Sequence, residues 1–567
     1  MSPLAGHTEH RILIVGGYGI FGGRLVELLE DDVRLTLLVA GRSLASARRY
    51  CEARPKAAAK LVPTAFDRTR DDTTQLAALH ATVVVDASGP FQAYGSHGYR
   101  LIEQCIECQV HYLDLADGSD FVGGIAKFDS AARAAGVYAL SGVSSFPVLT
   151  AAVARRLSAG IQTIQSIRGG IAPSPYAGVG LNVIRAIASY SGQRIPLKRR
   201  GRSATGRPFT ESMWFVIAVP GRIPLRSKRF SLVDVPDLRA LTELWPEVRD
   251  VWMGAGPVPV PLHWALTAFA WLVRIHLLPN LSWMAGAMHF VTNHVRWGEH
   301  RGGMFVEVSG QSAGGEPVSR EWHLLAEGDD GPLIPCMAVE AVIRKALAGD
   351  PPPPGARTAI SDVDLADYEA LFARRTIYTG IRERAPERAA PLYERILGAS
   401  WSQLALAIRQ LHSVTSVSSY AGRCTVDRGR NPLAWLIATL VGFPKAGADQ
   451  NIAVQLIADG GRERWVRTCG GRTFSSVQMP GRGRSEWLLR ERFGPISVDM
   501  ALVVDGPTLR YIVRRWALFG ISMPLFLGPR SAAAESVVEG QFSFDVAVSH
   551  PLTGLIVRYR GVLTASP

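Results

Sequence analysis

The stretch RILIVGGYGIFGGRLVELL, residues 11–29, constrains the fold more than any other part of the chain. A short run of β-forming residues leads at once into Gly17-Tyr18-Gly19-Ile20-Phe21-Gly22. Leu25, Leu28 and Leu29 then follow at helical spacing. Strand, glycine turn and helix together form the context in which this motif has a mechanical meaning. Gly17 permits the tight turn, Gly19 lets the backbone approach a pyrophosphate, and Gly22 lets the helix lie close on the strand. The helix N-terminus offers unpaired N–H groups and partial positive charge to phosphate. Residues 17–22 are therefore the first candidate cofactor-binding set. The competing reading is a turn that only joins a strand to a helix.

The segments that follow favour the cofactor reading. VRLTLLVAGRS (33–43) is a second strand. Where an NAD site places an acid for the ribose hydroxyl, this strand ends in Ala40-Gly41-Arg42-Ser43. Arg42 can pair with a 2′-phosphate and Ser43 can add a hydrogen bond, which predicts NADP over NAD. The alternative is that Arg42 is a surface cation opening the next helix. A third strand, AKLVPTAFD, ends at Asp67, suited to an adenine amino group. A fourth, ATVVVDASGPF, ends in Ser88-Gly89-Pro90. HYLDLAD is a fifth, ending near Asp114, and VYALSGVSS a sixth. Helices read between them, as in a doubly wound parallel sheet with its ligands outside the C-terminal strand ends.

The combination GGYGIFG, AGRS, VVVDASGPFQAYG and HYLDLADGSDF resembles the saccharopine dehydrogenase-like family, over roughly residues 10–380. The resemblance implies an NADP-binding Rossmann domain, an inserted α/β domain that often carries a dimer contact, and a tail that folds back onto the first domain. Many relatives carry a Gly-Glu pair after the fifth strand; here Asp117-Gly118-Ser119-Asp120 stands instead. The family name does not itself assign saccharopine as substrate.

The fold class expected is α/β: a Rossmann doubly wound sheet with an inserted α+β domain, plus a mainly antiparallel β domain forming a curved sheet or barrel. The boundaries read as 1–150 for the NADP-binding domain and 151–330 for a substrate and dimerisation domain. Helix and returning tail take 331–380, a linker 381–400, and the β domain 401–567. In the middle region, IQTIQSIRGGIAP and ESMWFVIAVPG read as strands, 302–328 as a hairpin and 332–349 as a helix. Beyond 401, eight or nine short strands alternate with Gly/Pro/Asp turns, with a helix near 432–442. Leu411-His412, GFPKAG (442–447), Trp465-x-Arg467 and YRG (559–561) resemble a bacterial domain of unknown function often fused to saccharopine dehydrogenase-like domains. Such a sheet either holds an apolar ligand or has a filled, structural core.

With 567 residues the chain is too long for one core. Net charge is +13, and only seven of the 62 basic residues are lysine. No zinc-finger or RNA-binding signature accompanies that charge, so nucleic acid is not the expected partner. Six cysteines make no disulfide framework, and MSPLAGHTEH has no apolar core for a signal peptide, so a cytoplasmic protein is expected. The apolar segment 263–291 is broken by Arg274, His276 and Pro279. It reads as a buried helix pair, a pocket wall, or an interfacial pair touching the inner membrane face.

Catalytic residues are not fixed by these motifs. Tyr94, His97 and Asp114 are the candidates, with Tyr112 and Asp117 nearby, because they lie on strand ends or turns closest to the expected nicotinamide. Cys105-x-x-Cys108 with His111 lacks a second ligand pair, so no metal is expected. The functional expectation is an NADP-dependent oxidoreductase acting on a small or lipophilic substrate. The alternative is a non-catalytic NADP-sensing or lipid-associated binding protein, and a homodimer fits either.

Overall fold

The computed structural model describes residues 10–70, 73–256, 259–384 and 390–566. The N-terminal segment read as lacking a signal peptide, and residues 385–389 of the expected linker, lie outside them. The chain forms two compact units. One takes the residues up to Met213 with Arg229–Tyr378; the other takes Trp214–Lys228 with Thr379 onward. The short excursion 214–228 was not legible in the sequence. ESMWFVIAVPG, expected as one strand, is extended only over Ser212–Phe215.

The first unit begins with strands β1 (His10–Val15), β2 (Leu35–Gly41), β3 (Lys60–Ala65), β4 (Val83–Asp86), β5 (His111–Asp114) and β6 (Tyr138–Ser141). A seventh, Gly355–Thr358, pairs parallel with β6, giving the order 355–358, β6, β5, β4, β1, β2, β3. Both faces are covered, as a parallel sheet requires. Along β1, Ile12 and Ile14 pack with Leu25, Leu28 and Leu29 of helix α1 (Ile20–Leu29), while Leu13 and Val15 pack with Leu101 and Cys105 on the other side. The helix Ile334–Leu347 joins the α1 face. There Arg344 donates to the Leu28 carbonyl at 2.9 Å and ion-pairs with Asp31 at 2.9 Å.

The middle of the chain adds a mixed seven-stranded sheet. Its long central strand Ile161–Ala172 runs parallel to Asp250–Ala255 and antiparallel to Gly302–Ser312, which forms a hairpin with Pro317–Ala326. The segment 263–291 is a helix pair, Val260–Arg274 and Ala285–His294. Among the described residues no helix is long and apolar enough to cross a membrane.

The second unit is a closed antiparallel barrel. Ten strands follow one another around it, and Ile496–Asp505 closes the ring against Thr508–Leu518; a short strand, Ile521–Met523, is added outside. The sequence reading expected eight or nine strands, because Arg530–Val538 (RSAAAESVV) is alanine-rich and shows little β-propensity. It is nevertheless paired on both sides. A cluster of buried side chains forms the core of this unit. Tyr393 and His412, from two helices preceding the barrel strands, stack at 3.6 Å, and His412 Nε2 lies 2.6 Å from Glu535. Trp465 and Arg467 both point into this core, where Arg467 donates to Ser476 at 2.9 Å and pairs with Glu491 at 3.2 Å.

Candidate functional site: a dinucleotide cleft with an apolar end

The strand order reverses between β1 and β4, and loops at such a reversal leave a crevice at the C-terminal sheet edge. A cleft of about 1000 Å³ opens there, entirely within the first unit. Gly16, Tyr18, Gly19, Ile20 and Phe21 line it after β1, Arg42 after β2, Asp67 after β3, and Ser88, Gly89 and Pro90 after β4. Nine expected residues, Arg42 among them, thus come together on one wall with Gly16, which was not expected there.

Gly17, Gly22 and Ser43 do not line the cleft. The residue with left-handed backbone is Gly16, at φ +79°, one position before the glycine expected to make the turn. A Cβ on Gly16 would lie 3.0 Å from both the Ala87 carbonyl oxygen and Ser88 Cα. Gly17 instead packs beneath the loop, against the Ile14 carbonyl, and Gly22 packs so close that a Cβ would overlap the Gly16 carbonyl. The Ser43 hydroxyl caps the next helix by accepting from the Ser46 N–H at 3.2 Å, and the Ser43 N–H donates to the Tyr18 hydroxyl at 3.1 Å. Ser43 therefore anchors the β2 turn and Tyr18, and Arg42 alone presents a charge there.

The cradle fits a dinucleotide. Helix α1 has no side-chain cap and no acid in its first turn, so its N-terminal N–H groups and dipole are left for an anion. Asp67 Oδ1 accepts from the Thr69 N–H at 3.0 Å and the Thr69 hydroxyl at 2.7 Å. Those bonds, helped by Arg42 and Arg70, hold its carboxyl below the usual range.

Of the three catalytic candidates, only Tyr94 reaches the cleft. Its hydroxyl lies 2.8 Å from Ser88 Oγ, which is 2.5 Å from Asp86 Oδ1. Arg68 sits with its guanidinium carbon 3.5 Å from the Tyr94 ring centroid and its Nε 3.2 Å from Asp86 Oδ2. Burial, with the Asp86 charge, raises the Tyr94 pKa far above that of a free phenol, so the ring stays protonated. His97 is exposed and sits against Arg100 at 2.9 Å, away from the cleft. Asp114 is sealed beneath it. There it accepts from the Gly142 and Ala116 N–H groups and from the Ser141 hydroxyl, at 2.8, 3.0 and 3.0 Å, and burial pushes its pKa up to about 7. Tyr112 is likewise buried in the sheet.

Five residues of the site were not picked out from the sequence. Arg68 and Asp86 form the Tyr94 support. Asn182 donates to the Gly89 carbonyl at 3.0 Å from the helix Leu181–Tyr190 that borders the cleft, and Tyr190 and Asp234 line its far half. The signal for that helix is present as Leu181, Ile184 and Ala188 at helical spacing. Asp117 also lines the cleft, held by Gln92 at 3.0 Å, and burial raises both Asp117 and Asp234.

Residues 12–140 match the family model of the saccharopine dehydrogenase NADP-binding domain. The first domain is similar to that family over this span. Residues 404–563 match a domain of unknown function, DUF4166, which coincides with the barrel. No curated protein matches the chain. Apo saccharopine dehydrogenase (L-Glu forming) of Saccharomyces cerevisiae is a similar solved structure, 13% identical, covering 66% of this chain and 100% of its own, with a TM-score of 0.48. The WlbA dehydrogenase of Thermus thermophilus, solved with NAD and α-ketoglutarate, is 13% identical, covering 65% and 93%, with a TM-score of 0.28. The match supports a nicotinamide cofactor for this domain.

Among the described lining residues of that cleft, the first domain supplies all the arginines: Arg24, Arg42 and Arg68. The wall contributed by residues 171–335 carries no Arg or Lys among the described lining residues. Ile184, Ile187, Phe209, Leu266, Met288 and Met304 make much of it apolar, beside polar members that include Asn182, Tyr190, Asp234, His300 and Asp329.

Proposed function

We propose that the protein is an NADP-dependent oxidoreductase whose substrate is lipophilic and uncharged at its reacting end. The observation that carries this reading is the division of one cleft into two chemistries. The half beside the glycine turn offers a helix N-terminus, Arg42 and Asp67; the half formed by residues 171–335 is largely apolar and offers no guanidinium or ammonium. A substrate bearing carboxylates would find no Arg or Lys there to replace its water; His300 lies 3.3 Å from Asp329, and Asp234 would repel a second carboxylate. An aliphatic carbonyl or alcohol loses little on entering it.

In this reading Gly16, Gly19 and the start of α1 receive the pyrophosphate. Arg42 takes the 2′-phosphate, and Asp67 faces the adenine. NADP supplies the hydride-transfer chemistry when bound. Tyr94 supplies the proton: it lines the cleft and burial keeps its hydroxyl protonated, while Ser88 Oγ at 2.8 Å holds that hydroxyl in place and water reaching the cleft on product release returns the proton to it. Arg68 orients the ring by stacking on it while balancing the Asp86 charge. Ser88 also ties the β4 turn to Asp86 through its backbone N–H at 3.0 Å, so the turn and the serine hydroxyl share one carboxylate.

The test is NADPH oxidation by the purified chain with medium- and long-chain aldehydes and ketones, compared with the same chains ending in a carboxylate. Turnover confined to the uncharged series supports the reading. Saturable NADPH binding with no turnover of any carbonyl would favour a cofactor-sensing protein instead.

A further inference from the structure

The helix pair that closes the apolar end of the cleft has a second face. Inward, Leu266 and Met288 line the cleft, and Val273, Leu281 and Ala285 pack with Ile184 and Ala188 of the neighbouring helix. Outward, Trp264, Trp271, Leu277, Trp283, Phe290 and Trp297 stand in solvent; Trp283 and Trp297 are each 69% exposed. Trp264, Trp271 and Phe290 lie on the two helices and Leu277, Trp283 and Trp297 on the segments joining and following them; so many large apolar side chains in one stretch exceed the scattered exposure of an ordinary surface.

Along the helix pair the sequence carries charge of one sign. Between Asp250 and Glu299 the sequence contains no Asp or Glu, while it contains Arg274, Arg296, His276 and His294. Arg229 stacks over Trp264 at 4.4 Å and Arg274 over Trp271 at 4.3 Å, setting cations at the rim of the aromatic surface. A second copy of the chain docking face to face would bring like charges together without an acid to pair them, which disfavours self-association here. Trp, Phe and Leu bordered by Arg and His suit the headgroup region of an anionic bilayer. The longer helix, Val260–Arg274, has 15 residues, about 22 Å, which is long enough to lie in the interface and too short to cross the bilayer.

We propose that the outward face of the helix pair 260–294 seats the protein on the surface of an anionic phospholipid bilayer, one helix thickness from the apolar end of the cleft. The docking rests on the exposed face alone. The corollary, that a membrane-dissolved substrate enters past Leu266 and Met288, rests on the lipophilic-substrate reading above.

The test is flotation of the full chain with phosphatidylcholine vesicles, with and without phosphatidylglycerol, beside a Trp271→Ser, Trp283→Ser, Phe290→Ser variant. These side chains are exposed, so the variant keeps its fold, and NADPH fluorescence checks the cleft in the same preparations. The wild type is expected to float with the anionic vesicles, weakly with the neutral ones, and less as salt is raised. The triple variant should lose about 10-fold or more of its bound fraction with NADPH binding unchanged. Equal flotation of variant and wild type, or no flotation at all, overturns the proposal. So does a dimer in sedimentation velocity that the variant abolishes while neither protein floats. Flotation that depends on the three residues in a protein that fails to bind NADPH would uphold the docking surface and remove the functional reading instead.

Discussion

The Tyr94 hydroxyl lies 2.8 Å from Ser88 Oγ, in the first turn after β4, and the same serine is held by the buried Asp86 carboxylate. One short loop thus links a protonated phenol in the cleft to a carboxylate at the end of the central sheet. Tyr94→Phe keeps the ring beneath Arg68 and removes only the hydroxyl. Carbonyl reduction should fall about 100-fold or more, while NADPH affinity stays within about twofold. Stopped-flow NADPH oxidation beside a fluorescence titration separates the two. An unchanged reduction rate would assign the proton to another group.

Gly16→Ala should damage the cradle twice over. The φ of +79° is unfavourable for alanine, and the new Cβ meets the Ala87 carbonyl and Ser88 Cα at 3.0 Å. The expected cost is about 1–3 kcal/mol in urea unfolding, with NADPH affinity reduced roughly 10-fold or more because the β1 and β4 turns must separate. Gly17→Ala also clashes, but with backbone below the loop, so its effect should fall on stability more than on affinity.

Asp114 gives a pH signature. Burial pushes its carboxyl from an ordinary 3.8 up to about 7, so the folded state holds the proton more tightly than the unfolded chain. A raised acid contributes its full stability below the unfolded value and loses that contribution as pH rises through the folded value. Asp114→Asn keeps an acceptor for Gly142, Ala116 and Ser141 and does not titrate. The stability of the variant minus that of the wild type should therefore rise with pH between about 4 and 7 and then level off, by an amount on the order of a few kcal/mol. Urea unfolding at several pH values measures it, and parallel curves would contradict the buried-acid account.

The sequence made the half of the cleft beside the glycine turn legible because its residues are local to strand ends. Each of the β1, β2, β3 and β4 turns announces itself within a few residues, and the resemblance carried by GPFQAYG and YLDLAD follows from the same turns. The glycine that needs a left-handed backbone was misplaced by one, since Gly16 and Gly17 are adjacent and only the fold shows which one turns the chain. The far half was not legible. Asn182 meets Gly89 across 93 residues, and Ser119 meets Asp234 at 2.7 Å across 115, so no local pattern links them. His97 and Asp114 looked alike in sequence as polar groups near a strand end. One faces solvent beside Arg100 and the other is sealed under Gly142, a difference set by the packing of β5 against β6.

Arg42 tests the central claim most directly. In a fluorescence titration the wild type should bind NADPH saturably and more tightly than NADH. Arg42→Ala should weaken NADPH by about 10- to 100-fold, the worth of a charge-assisted pair with the 2′-phosphate, and leave NADH nearly unchanged. Absence of NADPH binding by folded wild-type protein, or equal losses for the two nucleotides, would contradict the assignment of this cleft to NADP.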